Sequence, residues 1–269
     1  MSLYGVVGYP IKHSMSPQMF EAAFYEYNMD DEYRLFQIAP EELENFIKKD
    51  VNDIPIKGLS VTIPHKEKII PFLDSIDKHA AAIGAVNTVH NVNGKLKGYN
   101  TDWIGATRAM EFVGKDCEGK FVVILGAGGA AAAVAYGCVQ SGARVAILNR
   151  TLERAQALAD KLGCQADTLS NIFKYPAHVL IQTTSVGMYP NINASLVDPD
   201  YFKKGMIVMD IVYNPIETKL VREAKRAECR IVPGYKMLLY QGEKQFEIWF
   251  GKKPRTEKME EALLTSLNN

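Results

Sequence analysis

The chain has 269 residues, of which 47% are apolar and 23% are charged. This composition is typical of a folded globular protein, and the length suits one large domain or two modest ones, each with its own core. The 31 Lys and Arg residues balance the 31 Asp and Glu residues. Because no net field attracts a polyanion, a nucleic-acid partner is not expected.

The four cysteines, Cys117, Cys138, Cys164 and Cys229, form no CxxC pair and no metal-ligand spacing. We therefore expect reduced, buried thiols, no metal site and a cytoplasmic protein. The first residues lack the basic start and long apolar centre of a signal peptide. The stretch 121–139 contains no charge, as a membrane helix would, but its glycines and β-forming first residues predict a strand, a turn and a helix instead.

In the first hundred residues short apolar runs alternate with amphipathic ones, which predicts a small mixed α/β domain. Strands are expected over 3–8, 33–38 and 59–63, followed by a hairpin of 86–91 and 95–99 that turns at Asn93-Gly94. One helix is expected to begin at Ser16, as its N-cap before Pro17, and another to cover 40–49.

From about residue 102 the alternation of strands and helices becomes regular. Strands are predicted over 121–125, 144–148, 179–183 and 206–211, and helices over 129–140, 152–162, 218–228, 235–250 and 256–267. Because the strands are almost wholly apolar, they suit a parallel sheet buried on both faces, so a doubly wound α/β domain is predicted. The domain join near residue 101 rests on this change of rhythm alone.

A glycine-rich turn, Gly126-Ala127-Gly128-Gly129-Ala130-Ala131, follows the apolar strand directly and opens a helix. Such glycines permit a tight turn and let the backbone approach a pyrophosphate, which free N–H groups and the helix dipole attract. Glycines also mark ordinary turns, but the order strand, turn and helix favours a dinucleotide-binding (Rossmann) site.

The next strand ends in Asn149-Arg150-Thr151. An NAD site usually has an acidic residue at this point for the ribose 2′-hydroxyl. Here Arg150 takes that place, with Arg154 one helical turn further on, and two guanidinium groups suit a 2′-phosphate. NADP is therefore the expected cofactor, and a solvated arginine pair at a helix start is the alternative.

Further polar motifs occur at strand ends and turns: Ser14-Met15-Ser16-Pro17, then SVTIPHK at 60–66, GAVNT at 84–88, GYNTD at 98–102, TSVGM at 184–188 and MLLYQ at 237–241. Together with the glycine turn and Asn149-Arg150-Thr151, this set resembles the shikimate dehydrogenase family from residue 5 to about residue 250. The resemblance implies two α/β domains with a cleft between them and last helices that return to the first domain. Residues 1–101 with 238–269 would form the substrate-binding domain, and 102–237 the dinucleotide-binding domain.

The resemblance also implies the NADPH-linked reduction of 3-dehydroshikimate to shikimate, on the route to chorismate and the aromatic amino acids. Lys66 and Asp102 would form the catalytic acid–base pair, and Ser14 and Ser16 would hold the substrate carboxylate. The other implied site residues are Thr62, Asn87, Asp102 and Gln241 for the ring hydroxyls, Tyr213 beside the substrate, and Gly234 and Met237 beside the nicotinamide. The partner is a small molecule, not a nucleic acid or a membrane, and both a monomer and a homodimer are compatible with the sequence.

Several of these residues also have an ordinary interpretation. Lys66 is by itself most simply a solvated loop lysine, and Asp102 and Ser16 suit helix caps. Ser14 has no capping role in the sequence, which makes it the more informative serine. The remaining polar positions also have ordinary interpretations. Asn87 and Thr88 suit the hairpin, Gln241 suits a solvated helix face, and His13 and His65 suit the surface.

Two departures from the family pattern are visible. Ser60 stands where many members have Asn, and Pro233 stands before Gly234 where Asp is common. They leave open the selectivity for shikimate over quinate. A quinate/shikimate dehydrogenase of relaxed specificity and a noncatalytic NADP-binding sensor are therefore the alternatives, although an intact Lys66 and Asp102 argue against the sensor.

Overall fold

The computed structural model describes residues 1–54, 56–114 and 117–268. They form two compact units, one of Met1–Thr101 with the chain from Leu239 onward, and one of Asp102–Leu238. Each unit is built on a six-stranded sheet. The protein is thus an α/β protein with two sheets.

The strands are β1 (Leu3–Gly8), β2 (Glu32–Gln37), β3 (Ile56–Val61), β4 (Ser75–Ile76), β5 (Thr88–Val92), β6 (Lys95–Tyr99), β7 (Phe121–Leu125), β8 (Arg144–Asn149), β9 (Gln165–Thr168), β10 (Val179–Gln182), β11 (Ile207–Asp210) and β12 (Arg230–Val232). The helices are α1 (Ser16–Glu26), α2 (Leu43–Asn45), α3 (Val51–Asp53), α4 (Lys78–Ile83), α5 (Asp102–Glu111), α6 (Gly129–Gln140), α7 (Leu152–Leu162), α8 (Lys219–Arg226), α9 (Gly234–Phe250) and α10 (Thr256–Leu267). A π-helical turn, Phe46–Asp50, joins α2 to α3.

The sheet of the first unit has the strand order β2-β1-β3-β5-β6-β4. Strand β1 lies parallel to β2 and β3, whereas β5 is antiparallel to β3 and forms a hairpin with β6. The hairpin turn has positive φ at Asn93 (53°) and Gly94 (80°), as a two-residue type I′ turn requires. The predicted Asn-Gly hairpin is therefore confirmed.

Strand β1 is buried on both faces. Leu3 and Val7 pack on one side in a cluster with Phe46 of the π-helical turn. Tyr4 faces the other side, where its ring centroid lies 5.2 Å from that of Trp249 in α9. The Trp249 indole also donates a hydrogen bond to the Val89 carbonyl (3.0 Å), so the second half of α9 is an integral part of this unit.

The sheet of the second unit has the order β12-β11-β10-β7-β8-β9, and every neighbouring pair is parallel. Counted from β7, this is the order 3-2-1-4-5-6 of a doubly wound dinucleotide-binding sheet, which confirms the predicted fold class. The strand order reverses between β7 and β10. In such sheets the crevice outside the carboxyl ends of these two strands is the ligand site.

The structure reproduces the predicted bounds of β1, β6, β7, α6, α7 and α10 and differs elsewhere. Strand β3 begins three residues before the predicted start and ends at Val61, because Gly58 lies inside the strand and Thr62 already belongs to the following turn. The helix expected over 40–49 begins at Leu43 and continues through the π-helical turn to Asp53. The elements that were not predicted are β4, α4, β9 and β12; the three strands are short and lie at sheet edges, and α4 has only six residues.

The uncharged stretch 121–139 forms β7, the glycine turn and most of α6. Across the ranges that the structure describes, no helix is both long and apolar enough to cross a membrane. All four cysteines are free thiols. Cys117 and Cys138 are buried as expected, whereas Cys164 and Cys229 are only partly buried.

Candidate functional site

In the first unit the loops after β1 and β3 are tied together. The strands are parallel neighbours, so their carboxyl ends meet at one edge of the sheet. The Tyr9 N–H donates to the Ile63 carbonyl (3.0 Å), and the Thr62 N–H donates to the Val7 carbonyl (3.0 Å). The loop that leads to Ser14 therefore lies beside the loop that contains Thr62.

The two serines lie at the start of α1. Met15 occupies the N-cap position without a side-chain cap bond, Ser16 is the first helical residue and Pro17 the second. The prediction of Ser16 as the cap is thus wrong by one residue. Ser14 is not the N-cap either, but its hydroxyl oxygen accepts the Ser16 N–H (3.3 Å). Ser16 itself is buried.

Lys66 is half-buried in the loop after β3. Its carbonyl accepts the Val86 N–H (2.7 Å), which brings its backbone next to the residue that precedes Asn87. His65, expected at the surface, is fully buried, and its Nε2 lies 2.8 Å from the Ile38 carbonyl oxygen. The turn in which the His65 N–H donates to the Thr62 carbonyl (2.8 Å) places the ring there, and burial lowers its pKa.

Asn87 is buried and is hydrogen-bonded to another predicted site residue, Gln241. Its Nδ2 donates to the Thr101 hydroxyl (2.9 Å) and to Gln241 Oε1 (3.2 Å). Its Oδ1 accepts the Thr101 N–H (2.7 Å) and the Thr88 hydroxyl (2.8 Å). Gln241 is only 7% exposed, so the interpretation as a solvated helix face is wrong.

Behind Asn87 lies a group of buried polar side chains that the sequence reasoning did not assign to a site. The Ser60 hydroxyl donates to Gln245 Oε1 (2.7 Å) and lies 2.6 Å from the Tyr33 hydroxyl. Gln245 Nε2 donates to the Asn87 carbonyl (3.0 Å) and to the Thr88 hydroxyl (3.0 Å). The signal available in the sequence was the spacing of Gln241 and Gln245, which are four residues apart and share a helix face.

In the second unit the glycine turn lies at the carboxyl end of β7. Gly126 has φ +115°, and a Cβ at this position would lie 2.7 Å from the Thr183 hydroxyl oxygen. Gly128 is the N-cap of α6 and provides no side-chain cap bond, and a Cβ on it would meet nothing within 4 Å. Gly128 is also exposed, so the start of α6 is open to solvent at this residue, which suits a phosphate group.

The arginines predicted for a 2′-phosphate follow β8, Arg150 in the loop and Arg154 in the first turn of α7. Asn149 Nδ2 donates to the Thr151 carbonyl (2.9 Å), and Thr151 is the N-cap of α7. Arg150 and Arg154 are exposed. Neither forms an ion pair with another residue in the described part of the chain.

The remaining predicted residues lie in three other segments of the chain: at the start of α5, after β11 and in the first turns of α9. Asp102 is the first residue of α5 and is buried. Tyr213 follows β11, and burial raises its pKa. Gly234 opens α9, where a Cβ would lie 2.3 Å from the Asp210 carbonyl oxygen, so close backbone approach requires glycine. Met237 is buried in the same helix.

A buried carboxyl group that the sequence reasoning missed lies at the end of β11. Asp210 accepts hydrogen bonds from the Thr218 hydroxyl (2.7 Å), the Val212 N–H (3.0 Å) and Gln182 Nε2 (3.2 Å). Burial raises the pKa of Asp210 to about 6, although these hydrogen bonds act in the opposite direction. Gln182 Nε2 also donates to the carbonyl groups of Thr184 and Val186 (3.1 Å each), so the carboxyl group supports the loop after β10.

No group of three or more His, Cys, Asp or Glu residues in the described ranges is arranged to hold a metal ion. The polar groups gathered in the first unit are neutral hydroxyl and carboxamide groups. They suit an uncharged polyhydroxylated molecule or a single carboxylate.

Three family models match the chain in sequence order. Residues 6–89 match the shikimate dehydrogenase substrate binding domain. Residues 108–225 match shikimate / quinate 5-dehydrogenase, and residues 234–264 match the shikimate 5′-dehydrogenase C-terminal domain.

The chain is similar over nearly its whole length to curated and structurally solved proteins. It is 44% identical to the shikimate dehydrogenase (NADP(+)) of Methanothermobacter thermautotrophicus, over 98% of this chain and 96% of the relative. A crystal structure of a shikimate dehydrogenase in complex with NADP+ has TM-score 0.95 and 38% identity, over 100% of this chain and 96% of that chain. The Thermus thermophilus enzyme in complex with NADP(H) and shikimate has TM-score 0.89 and 34% identity, over 99% of this chain and 100% of that chain.

Proposed function

Because the chain belongs to the shikimate dehydrogenase family, we propose that it catalyses the NADP-dependent interconversion of 3-dehydroshikimate and shikimate in aromatic amino-acid biosynthesis. The observation that carries this proposal is the cluster around Asn87. Its carboxamide, that of Gln241 and the Thr101 hydroxyl meet within hydrogen-bonding distance in a buried position. A polyhydroxylated ring needs such a set of neutral donors and acceptors.

The second unit fits a dinucleotide. The turn at Gly126 and Gly128 leaves the N-terminus of α6 open, so its N–H groups can bind a pyrophosphate. The exposed guanidinium groups of Arg150 and Arg154 would bind the 2′-phosphate, and Asn149 and Thr151 shape the loop that carries Arg150. Ala127, Gly129, Ala130, Gly234 and Met237 complete the proposed cofactor residues. The bound dinucleotide supplies the hydride.

The substrate carboxylate would be held by Ser14 and Ser16. The Ser14 oxygen accepts the Ser16 N–H, so the hydroxyl proton of Ser14 stays available for donation to an anion. Hydrogen bonds from hydroxyl groups orient a carboxylate without the strong attraction of an arginine. Thr62, Asn87, Asp102 and Gln241 would contact the ring hydroxyls, and Tyr213 would lie beside the substrate.

Lys66 and Asp102 are the proposed acid–base pair. During reduction, negative charge develops on the ketone oxygen, and Lys66 Nζ donates a proton to it; in the reverse direction the amine accepts the hydroxyl proton. The carboxylate of Asp102 would accept a hydrogen bond from the substrate hydroxyl and hold it in place. The bond from the Val86 N–H to the Lys66 carbonyl holds the backbone of the lysine.

A second candidate function is turnover of quinate as well as shikimate. It is the alternative that the departures from the family pattern at Ser60 and Pro233 leave open; in the structure the Ser60 hydroxyl is bonded to Tyr33 and Gln245. The proposed division of labour is the same for both substrates: the first unit binds the small molecule and the second binds NADP. A cytoplasmic location stays a prediction from the four cysteines, which are free in the structure.

The test is a spectrophotometric assay of the purified protein with shikimate and with quinate, each with NADP and with NAD. We expect the highest kcat/KM with shikimate and NADP. Substantial turnover of quinate would establish the relaxed specificity. A protein that binds NADP but oxidises neither substrate would contradict the proposal and favour a noncatalytic sensor.

A further inference from the structure

We propose that Gln245 is a positioning residue for the substrate-binding carboxamides of Asn87 and Gln241, acting through a buried chain of neutral hydrogen bonds that begins at Tyr33 and Ser60. This inference deepens the proposed function and rests on it. Gln245 itself need not touch substrate. We call Tyr33, Ser60, Gln245 and Thr88 the support chain.

The donor and acceptor atoms of Gln245 define which group donates and which accepts in each hydrogen bond of the support chain. Oε1 can only accept, so the Ser60 hydroxyl donates to it and the oxygen of Ser60 accepts from Tyr33. Nε2 can only donate, so the Asn87 carbonyl and the Thr88 oxygen both accept from it. Gln245 is 1% exposed, and burial makes the loss of these bonds costly because water does not replace them.

The bond from Gln245 to Thr88 in turn defines how Thr88 and Asn87 are hydrogen-bonded. Because the Thr88 oxygen accepts from Gln245, its own proton is directed to Asn87 Oδ1. The Thr101 N–H donates to the same oxygen, so the two donors together define which end of the carboxamide is the acceptor. Asn87 Nδ2 must then donate to Gln241 Oε1. The amide end of Gln241 is thereby turned away from Asn87.

Ser60 lies in the middle of the support chain. Here a hydroxyl group is engaged on both sides, by the Tyr33 hydroxyl and by Gln245. The Tyr33 ring is in turn stacked on Phe20, with centroids 4.6 Å apart, so the far end of the support chain is rigid.

Gln245→Met tests the proposal because it keeps the side-chain length and removes every hydrogen bond of the carboxamide. We expect KM and Kd for shikimate to rise about 10-fold, with a smaller change in kcat and no change in KM for NADP. Ser60→Ala removes only the hydroxyl group between Gln245 and Tyr33, so the rise should be about 2-fold to 3-fold. This variant keeps the test decisive if Gln245→Met does not fold.

The matched control is Thr256→Val. It removes a hydrogen bond from the Thr256 hydroxyl to Glu243 of the same helix α9 (2.7 Å), outside the support chain. It should lower the melting temperature without changing KM for shikimate. If Gln245→Met and Ser60→Ala behave in the same way, with lower stability and unchanged KM and Kd, the positioning role is overturned.

Calorimetric titration of shikimate separates this inference from the proposed function. A wild-type protein that binds shikimate but does not oxidise it overturns the proposed activity, and the positioning role is then decided by the Kd values of the variants. A wild-type protein that neither binds nor oxidises shikimate overturns both.

Discussion

The two candidate sites are built in different ways. The proposed cofactor site of the second unit consists of backbone N–H groups at the start of α6 and of exposed arginines after β8. The proposed substrate site of the first unit consists of side chains that bind one another across long stretches of sequence, such as Asn87 and Gln241. Changes in the proposed cofactor site should act through backbone geometry or a single exposed charge, whereas changes in the proposed substrate site should act through a shared hydrogen-bond network.

The buried polar groups of the two units differ as well. The support chain in the first unit contains only neutral groups, and burial raises the pKa of Tyr33, which keeps it protonated. The corresponding group in the second unit centres on the carboxyl group of Asp210. Only the second network should therefore respond to pH between about 4 and 6.

The largest expected effect is a loss of catalytic rate when the first unit is changed, without a loss of cofactor binding by the second unit. Lys66→Ala should lower kcat by about 10²–10⁴-fold, the usual range for an acid–base group, and leave the Kd for NADP unchanged. Steady-state kinetics and NADP titration check this. Lys68→Ala, an exposed lysine in the same loop, is the control and should keep full activity. A near-normal kcat for Lys66→Ala would return Lys66 to an ordinary solvated lysine.

The pH response of Asp210 gives the next largest effect. Its pKa is about 6 in the folded protein against 3.8 for an ordinary aspartate, so the unfolded chain loses this proton first as the pH rises. The free energy of unfolding should therefore fall between about pH 4 and 6, by about 3 kcal/mol, and Asp210 should contribute no further change above that range.

Asp210→Asn removes this titration and keeps most of the hydrogen bonds, because the Thr218 hydroxyl can turn to accept. The variant should gain stability relative to the wild-type protein as the pH rises from about 4 to 6, measured by urea unfolding. A stability difference that does not change with pH would contradict the assignment. Gln245→Met should show no such pH-dependent difference.

Gly126→Ala tests the dependence of the cofactor site on backbone geometry. The substituted residue would have to keep φ +115° beside the Thr183 hydroxyl. We expect a loss of about 1–3 kcal/mol in stability, together with weaker NADP binding. Gly163→Ala is the matched control, since Gly163 also has positive φ (+70°) but its Cβ would meet nothing within 4 Å. It should lose stability and keep its NADP affinity.

The smallest expected effect concerns cofactor choice. Arg150→Ala should weaken NADP binding by about 1–2 kcal/mol, or roughly 5-fold to 30-fold, because the arginine is exposed and its bonds are partly replaced by water. NAD binding should hardly change. Arg226→Ala, an exposed arginine in α8, should affect neither cofactor. Equal losses for NADP and NAD in Arg150→Ala would refute the 2′-phosphate site.

The sequence by itself determined the local features of this protein. The glycine turn, the arginines after β8, the Asn-Gly hairpin and the bounds of α6 and α7 follow from patterns a few residues long, because turns and helix starts depend on the conformation of adjacent residues. The all-parallel second sheet was predictable for the same reason, since continuous apolar strands between helices are a repeated local signal.

Only the tertiary structure decided which polar residues are buried together. Gln245 lies 158 positions from the Asn87 carbonyl that it binds, and Tyr33 lies 27 positions from Ser60. His65 and Gln241 have polar side chains that suit a solvated surface, and their burial depends on chain segments far away in the sequence. A hydrogen bond between distant residues leaves no periodic pattern in either segment, because the pairing is defined by the packing of strands and helices around it.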